Sequence, residues 1–168
     1  MKDSININEV VDGANCGFGG FVTAEVIRDG ANGPEVVERR VSHNLVVNAG
    51  KKQIWRMVQG TQTNLFDQMR IGTSAAAASS AQTNLLSPIA STINTATSMT
   101  VSSGTRTAQW VISYPSGSGS ITVAGISEVV LLNQNTSPGG SCMMRTTFTA
   151  VNKTTADKLK ITYSCRIT

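Results

Sequence analysis

The chain holds one histidine, His43, between two segments of strand-like pattern, so acid–base or nucleophilic catalysis has a single imidazole to draw on. A Ser/His/Asp set is assembled in space and not by spacing, but there is no GxSxG elbow, and His43 reads as a surface or hydrogen-bonded structural residue. Paired carboxylates, as in glycoside hydrolysis, are the other route. Beyond residue 67 the only acids are Glu128 and Asp157. Glu128 lies inside the apolar run ITVAGISEVVLL, where a carboxylate must face solvent or find a partner. A structural hydrogen bond or ion pair suits it better than the role of general acid, and no catalytic residue is expected.

The stretch GANCGFGG at 13 to 20 resembles a phosphate cradle only in its glycines. It lacks a GK[ST] ending and no helical pattern follows, so it reads as a joint. Cys16, Cys142 and Cys165 are odd in number and widely spaced, which excludes a disulfide framework and a CxxC zinc half-site. They read as buried, reduced thiols of a protein folded in a cytosol. Neither a metal nor a cofactor is expected. The sequons at Asn135 and Asn152 carry no weight without a secretory signal, and the N-terminus MKDSININEVVDGANC has neither a basic nor an apolar leader region. No run approaches the ~20 apolar residues of a membrane span.

Residues 1 to 67 carry seven Lys/Arg against eight Asp/Glu, and residues 68 to 168 carry seven against two. The later cations, Arg70, Arg106, Arg145, Lys153, Lys158, Lys160 and Arg166, are scattered singly. Nucleic acid is recognised by basic stripes with aromatic partners, so it is not an expected ligand.

The elements that would position these residues are mostly strands. FVTAEVIR at 21 to 28 alternates Val22, Ala24 and Val26 with Thr23 and Glu25, the period of a half-buried strand. Turn residues at 29 to 34 return it through EVVERRV at 35 to 41 as a hairpin. The spacing of Ile54, Trp55 and Val58 predicts one short helix over 48 to 59, with Asn48 as N-cap, Gly60 as stop, and Trp55 and Met57 as packing residues. DQMRIGTS at 67 to 74 reads as a strand, and SAAAASSAQTNLL lacks an amphipathic stripe and reads as a loop or short turn. Further strands are predicted at about 92 to 101, 105 to 114, 120 to 132, 141 to 150 and 158 to 167, separated by Ser/Gly/Pro/Asn turns. The fold class is all-β: an antiparallel β-sandwich or jelly-roll of about eight strands over 21 to 168, with one helix and an extended N-terminal arm over 1 to 20.

Charged residues make up 14% of the chain against a typical ~25%, while Ser, Thr, Asn and Gly abound. Such a surface suits coverage by other protein better than life as a free monomer. In the arm, Ile5, Ile7 and Val10 alternate with polar residues and Phe18 follows the glycines. These four are the candidate assembly residues. An arm of this composition gains order by lying on something else, and ~15 extended residues reach roughly 50 Å.

Four segments, HNLVVNAGKKQIWRMV at 43 to 58, MRIGTSAAAASSAQTNLLSPI at 69 to 89, ITVAGISEVVLLN at 121 to 133 and CMMRTTFTAVNKTTADKLKITYSCRI at 142 to 167, occur in an order that resembles small bacteriophage and prophage structural proteins of tail-fibre-like or minor structural type. The shared pattern is a glycine-ended strand, an Ala/Thr loop, a GIxE strand and a final hairpin bent at KxxxDxL. Gly125 is expected to permit close approach at a strand bend. Ser74 departs from it where a second glycine commonly follows IGT, and so does the long arm.

The resemblance implies a virion component without enzymatic activity, made in the bacterial cytoplasm. A capsid decoration or cement protein bridging neighbouring subunits is favoured within that class. Its partners would be its own copies, with a trimer favoured, and the major capsid protein. A tail, collar or fibre-attachment adaptor bound to tail or neck proteins is the alternative. A carbohydrate-binding module for the host surface is a more distant one, short of aromatic residues.

Overall fold

The computed structural model describes residues 18–61, 65–90, 92–118, 120–133 and 141–167. Among these, ten strands and one helix follow in the order β1 Phe18–Gly30, β2 Gly33–His43, β3 Leu45–Val46, α1 Asn48–Val58, β4 Gln68–Gly72, β5 Asn94–Thr95, β6 Ser98–Ser102, β7 Thr107–Tyr114, β8 Val123–Leu132, β9 Cys142–Lys153 and β10 Asp157–Ile167. They build two five-stranded sheets, β2-β1-β10-β7-β6 and β3-β9-β8-β4-β5, in which every pairing is antiparallel. The chain is therefore mostly β, with two antiparallel sheets and one helix, as the alternating pattern predicts.

Alternation also fixes the inner faces. Val22, Ala24 and Val26 of β1, Ile112 of β7, and Leu159, Ile161 and Tyr163 of β10 share one buried cluster with Met69 and Ile71 of β4, Val129 and Leu131 of β8, and Met144 of β9. Two hydroxyls tie the sheets directly: Tyr163 Oη donates to the Val129 carbonyl at 2.9 Å, and Ser42 Oγ to the Thr147 carbonyl at 2.6 Å.

β8 is buried without a break from Ile126 to Leu132 because the second sheet is covered on both sides. Its other face carries a smaller apolar cluster of Val47, Leu85, Val130, Leu132 and Cys142. Leu85, from the segment between β4 and β5, helps roof it.

Several local expectations are corrected. The predicted strand at 92 to 101 is two strands, since the chain leaves β4's partner β5 and joins β7 as β6, with Ala96 N bonded to the Asp67 carbonyl and Thr97 N to that of Val111. The helix cap is Val47, extended and without a side-chain cap bond, so Asn48 is the first helical residue. Gly60 does stop the helix, at φ +69°. Gly125 allows no close approach, having open space where a Cβ would stand. Its φ of +73° is what matters, at the break in β8–β9 register between Val123 and Ile126. β1 begins at Phe18, which pairs with Ile167, so 18 to 20 of the expected arm belong to a strand. Ile5, Ile7 and Val10 lie outside the described residues.

Candidate functional site

The strongest polar feature is a buried ion pair on the outer face of the second sheet. Glu128 of β8 and Arg145 of β9 are both wholly shielded from solvent. They sit diagonally, because Glu128 is in register with Thr147 and Arg145 with Val130. Arg145 Nε and Nη2 donate to Glu128 Oε2 at 2.9 and 2.7 Å.

An isolated pair of this kind loses more in desolvation than it gains in attraction unless its remaining hydrogen-bonding capacity is filled. The segment between β4 and β5 fills it. Ser87 N and Leu86 N donate to Glu128 at 2.8 and 3.2 Å, and Ser74 N approaches at 3.4 Å. Arg145 Nη1 donates to the Ala76 carbonyl and to Gln82 Oε1, each at 3.0 Å. The Ala/Ser-rich run is a loop with a turn at Ser79 to Gln82, as its lack of a stripe suggested, and it is clamped at both ends. Gly72 makes room: a Cβ there would collide with Glu128 Oε1 and the Ser87 carbonyl.

A second polar centre closes the β9–β10 turn. The buried Asp157 accepts from Arg28 Nε at 2.8 Å, Thr154 N at 2.9 Å and Thr154 Oγ1 at 2.6 Å. The Arg28 hydrogen bond holds its carboxyl down at about 2. Lys153, also buried, donates to the carbonyls of Ile121 and Thr154 at 3.0 and 3.2 Å. Desolvation lowers its pKa, and the nearby Asp157 opposes that.

These partners decide what the two late acids can do chemically. Glu128 has both oxygens engaged and no exposure, and Asp157 is clasped by a guanidinium and a turn. His43 stands exposed at the end of β2 opposite Phe21, on the other sheet from Glu128. Cys142 and Cys165 are buried and unbonded, and burial pushes their thiols up to about 12 and about 11. Cys16 lies outside the described residues. Among the described residues no group of three His, Cys, Asp or Glu could hold a metal, and no helix is long and apolar enough to cross a membrane. Of the seven later cations, Arg145 and Lys153 are inside the molecule, and Lys160 lies 3.5 Å from Glu25.

The other feature is an apolar groove of about 600 Å³ between the β6–β7 end of the first sheet and helix α1. Phe18, Met57, Phe66, Val101, Trp110 and Cys165 are among its walls. Met99 and Val101 pair with Trp110 and Ala108, the alternation of β7 that continues into the core at Ile112, so they occupy the inward face. They are nevertheless 49% and 82% exposed. Trp55, expected to pack, is 68% exposed on α1, whereas Ile54 and Met57 pack against the core. The sequence reading missed this groove, and the unbroken alternation of Met99 and Val101 in a weakly charged strand was its available signal.

The chain matches no family model, and neither the curated proteins nor the solved structures include a significant match.

Proposed function

We propose that this chain is a non-enzymatic structural protein of a bacteriophage particle, a capsid decoration protein that binds over neighbouring subunits and to its own copies. The observation that carries it is the clamp at Glu128 and Arg145. All four segments of the phage-like pattern meet there: Glu128 from the GIxE strand, Arg145 from the last hairpin, the Ala/Ser loop through Ser74, Ala76, Gln82, Leu86 and Ser87, and the helix segment through Leu45, paired with Arg145, and Asn48, whose N–H donates to the Ser80 carbonyl at 2.8 Å. Residues that would be candidates for chemistry are spent on holding a frame together. A frame that repeats at many sites needs this more than it needs a reacting group.

The matching architecture is a β-sandwich of jelly-roll kind, its two sheets stacked face to face. The shared cluster and the Tyr163 and Ser42 bonds between sheets support stacking. The charge-poor surface supports coverage by other protein chains.

The test is quantitative protein analysis and imaging of purified particles from the producing bacterium. The chain should co-purify in numbers comparable to the major capsid protein, with density over the shell. A few symmetric copies at the neck or tail would make it an adaptor instead, and absence from intact particles would end the proposal.

A further inference from the structure

We infer that the apolar groove beside α1 is the seat of the chain's own residues 1–17, whose Ile5, Ile7, Val10 and Val11 complete the core at that end. This goes beyond the particle proposal and does not depend on it, because it concerns the free protein.

Three observations converge. The groove is unfinished interior: Met99 and Val101 hold inward positions on β6, in register with Trp110 and Ala108, yet among the described residues no opposing layer covers them. Phe18 is both the first described residue and part of the groove wall, so the preceding seventeen residues are covalently tethered to that wall. Extended, they reach roughly 50 Å, far more than the groove requires.

Composition and charge agree. Alternation separates Ile5 and Ile7 from Ser4, Asn6 and Asn8, giving one apolar side for the groove and one polar side for solvent or a neighbour. The segment carries Asp3, Glu9 and Asp12 against Lys2, while the groove has Arg106 and no acid among its described walls, with Lys51, Lys52 and Arg56 exposed on the adjoining helix. A tethered segment also outcompetes a free one through its high effective concentration.

Trp110 lines the groove and Trp55 does not, so Trp55→Phe leaves one reporter. In the full chain with that substitution, Trp110 should be shielded from acrylamide. Ile5→Asp with Ile7→Asp in the same chain should raise its quenching constant toward that of the urea-unfolded chain. Circular dichroism should show both sheets intact. Shielding should be unchanged on dilution, whatever oligomeric state light scattering reports. Equal quenching with and without the two aspartates would overturn the assignment. So would shielding that vanishes on dilution together with a dimer or larger species, which would place a second copy's arm in the groove.

Discussion

Arg145 donates twice to one oxygen of Glu128 across neighbouring strands, at 2.9 and 2.7 Å, and neither side chain reaches solvent. The pair is held on a sheet face it shares with Val130 and Leu132, and its remaining hydrogen-bonding groups are met by a loop with no regular structure. The loop's order and the pair's burial are thus one property.

Breaking the pair from either side should therefore cost more than removing it whole. Glu128→Gln or Arg145→Met alone leaves a buried charge or orphaned donors and should destabilise by about 3–5 kcal/mol. The double variant Glu128→Leu, Arg145→Met should lose less than either single in urea unfolding, so that the two effects couple by about 3 kcal/mol or more. Amide exchange in 74 to 87 should accelerate most in the double variant, where the N–H groups of Leu86 and Ser87 lose their acceptor and Ala76 and Gln82 lose their donor.

Gly72 and Gly19 make a matched comparison. A methyl at Gly72 collides with Glu128 Oε1 and a backbone carbonyl, while at Gly19 nothing stands within 4 Å. Gly72→Ala should cost about 1–3 kcal/mol or more as an overpacked site, whereas Gly19→Ala should be near neutral by thermal melting. Equal effects would mean that the loop can step back from Gly72, and the clamp would be looser than its geometry implies.

Much of this frame was legible in the sequence because its signals are local. Alternation in FVTAEVIR and in the last hairpin placed β1 and β10, and turn residues placed their ends. The need of Glu128 for a partner was legible too, but not the partner: Arg145 is 17 residues away on another strand, and its other bonds reach 63 and 69 residues back. Non-local pairings leave no periodic trace. For the same reason the strand predicted at 92 to 101 concealed its change of sheet, since alternation tells which side faces in but not which sheet is joined. Spacing put Ile54, Trp55 and Val58 on one helix, yet only the depth of the opposing sheet decides that Trp55 and Val58 stay outside.

The turn at Asp157 should set the acid limit of the fold. Its carboxyl titrates at about 2 in the folded chain, against ~3.9 in an unfolded one. Its contribution is complete above about pH 5 and is lost as pH falls through 4 toward 2, because the unfolded state takes up the proton first. With Arg28 half exposed, the loss is on the order of 1–2 kcal/mol. Asp157→Asn should lower stability at neutral pH by a similar amount and flatten the acid dependence. An unchanged slope in urea titrations between pH 5 and 2 would show that other carboxylates set the limit.

The two described thiols should behave as interior groups. Cys142 and Cys165 are buried, with thiols pushed to about 12 and about 11, so almost no thiolate exists at neutral pH and no reagent can reach one without opening the fold. With Cys16→Ser, folded protein should react with a disulfide reagent at the rate of unfolding or of local opening, and fully only in denaturant. Cys165 lines the apolar groove and Cys142 lies in the cluster beneath the Glu128 loop. Local opening should therefore expose Cys165 first in chains lacking residues 2 to 17, and Cys142 first when Arg145 is replaced by Met. Mass spectrometry of partly labelled protein reads that order, and fast labelling of both thiols in the otherwise unaltered fold would contradict the burial on which both clusters rest.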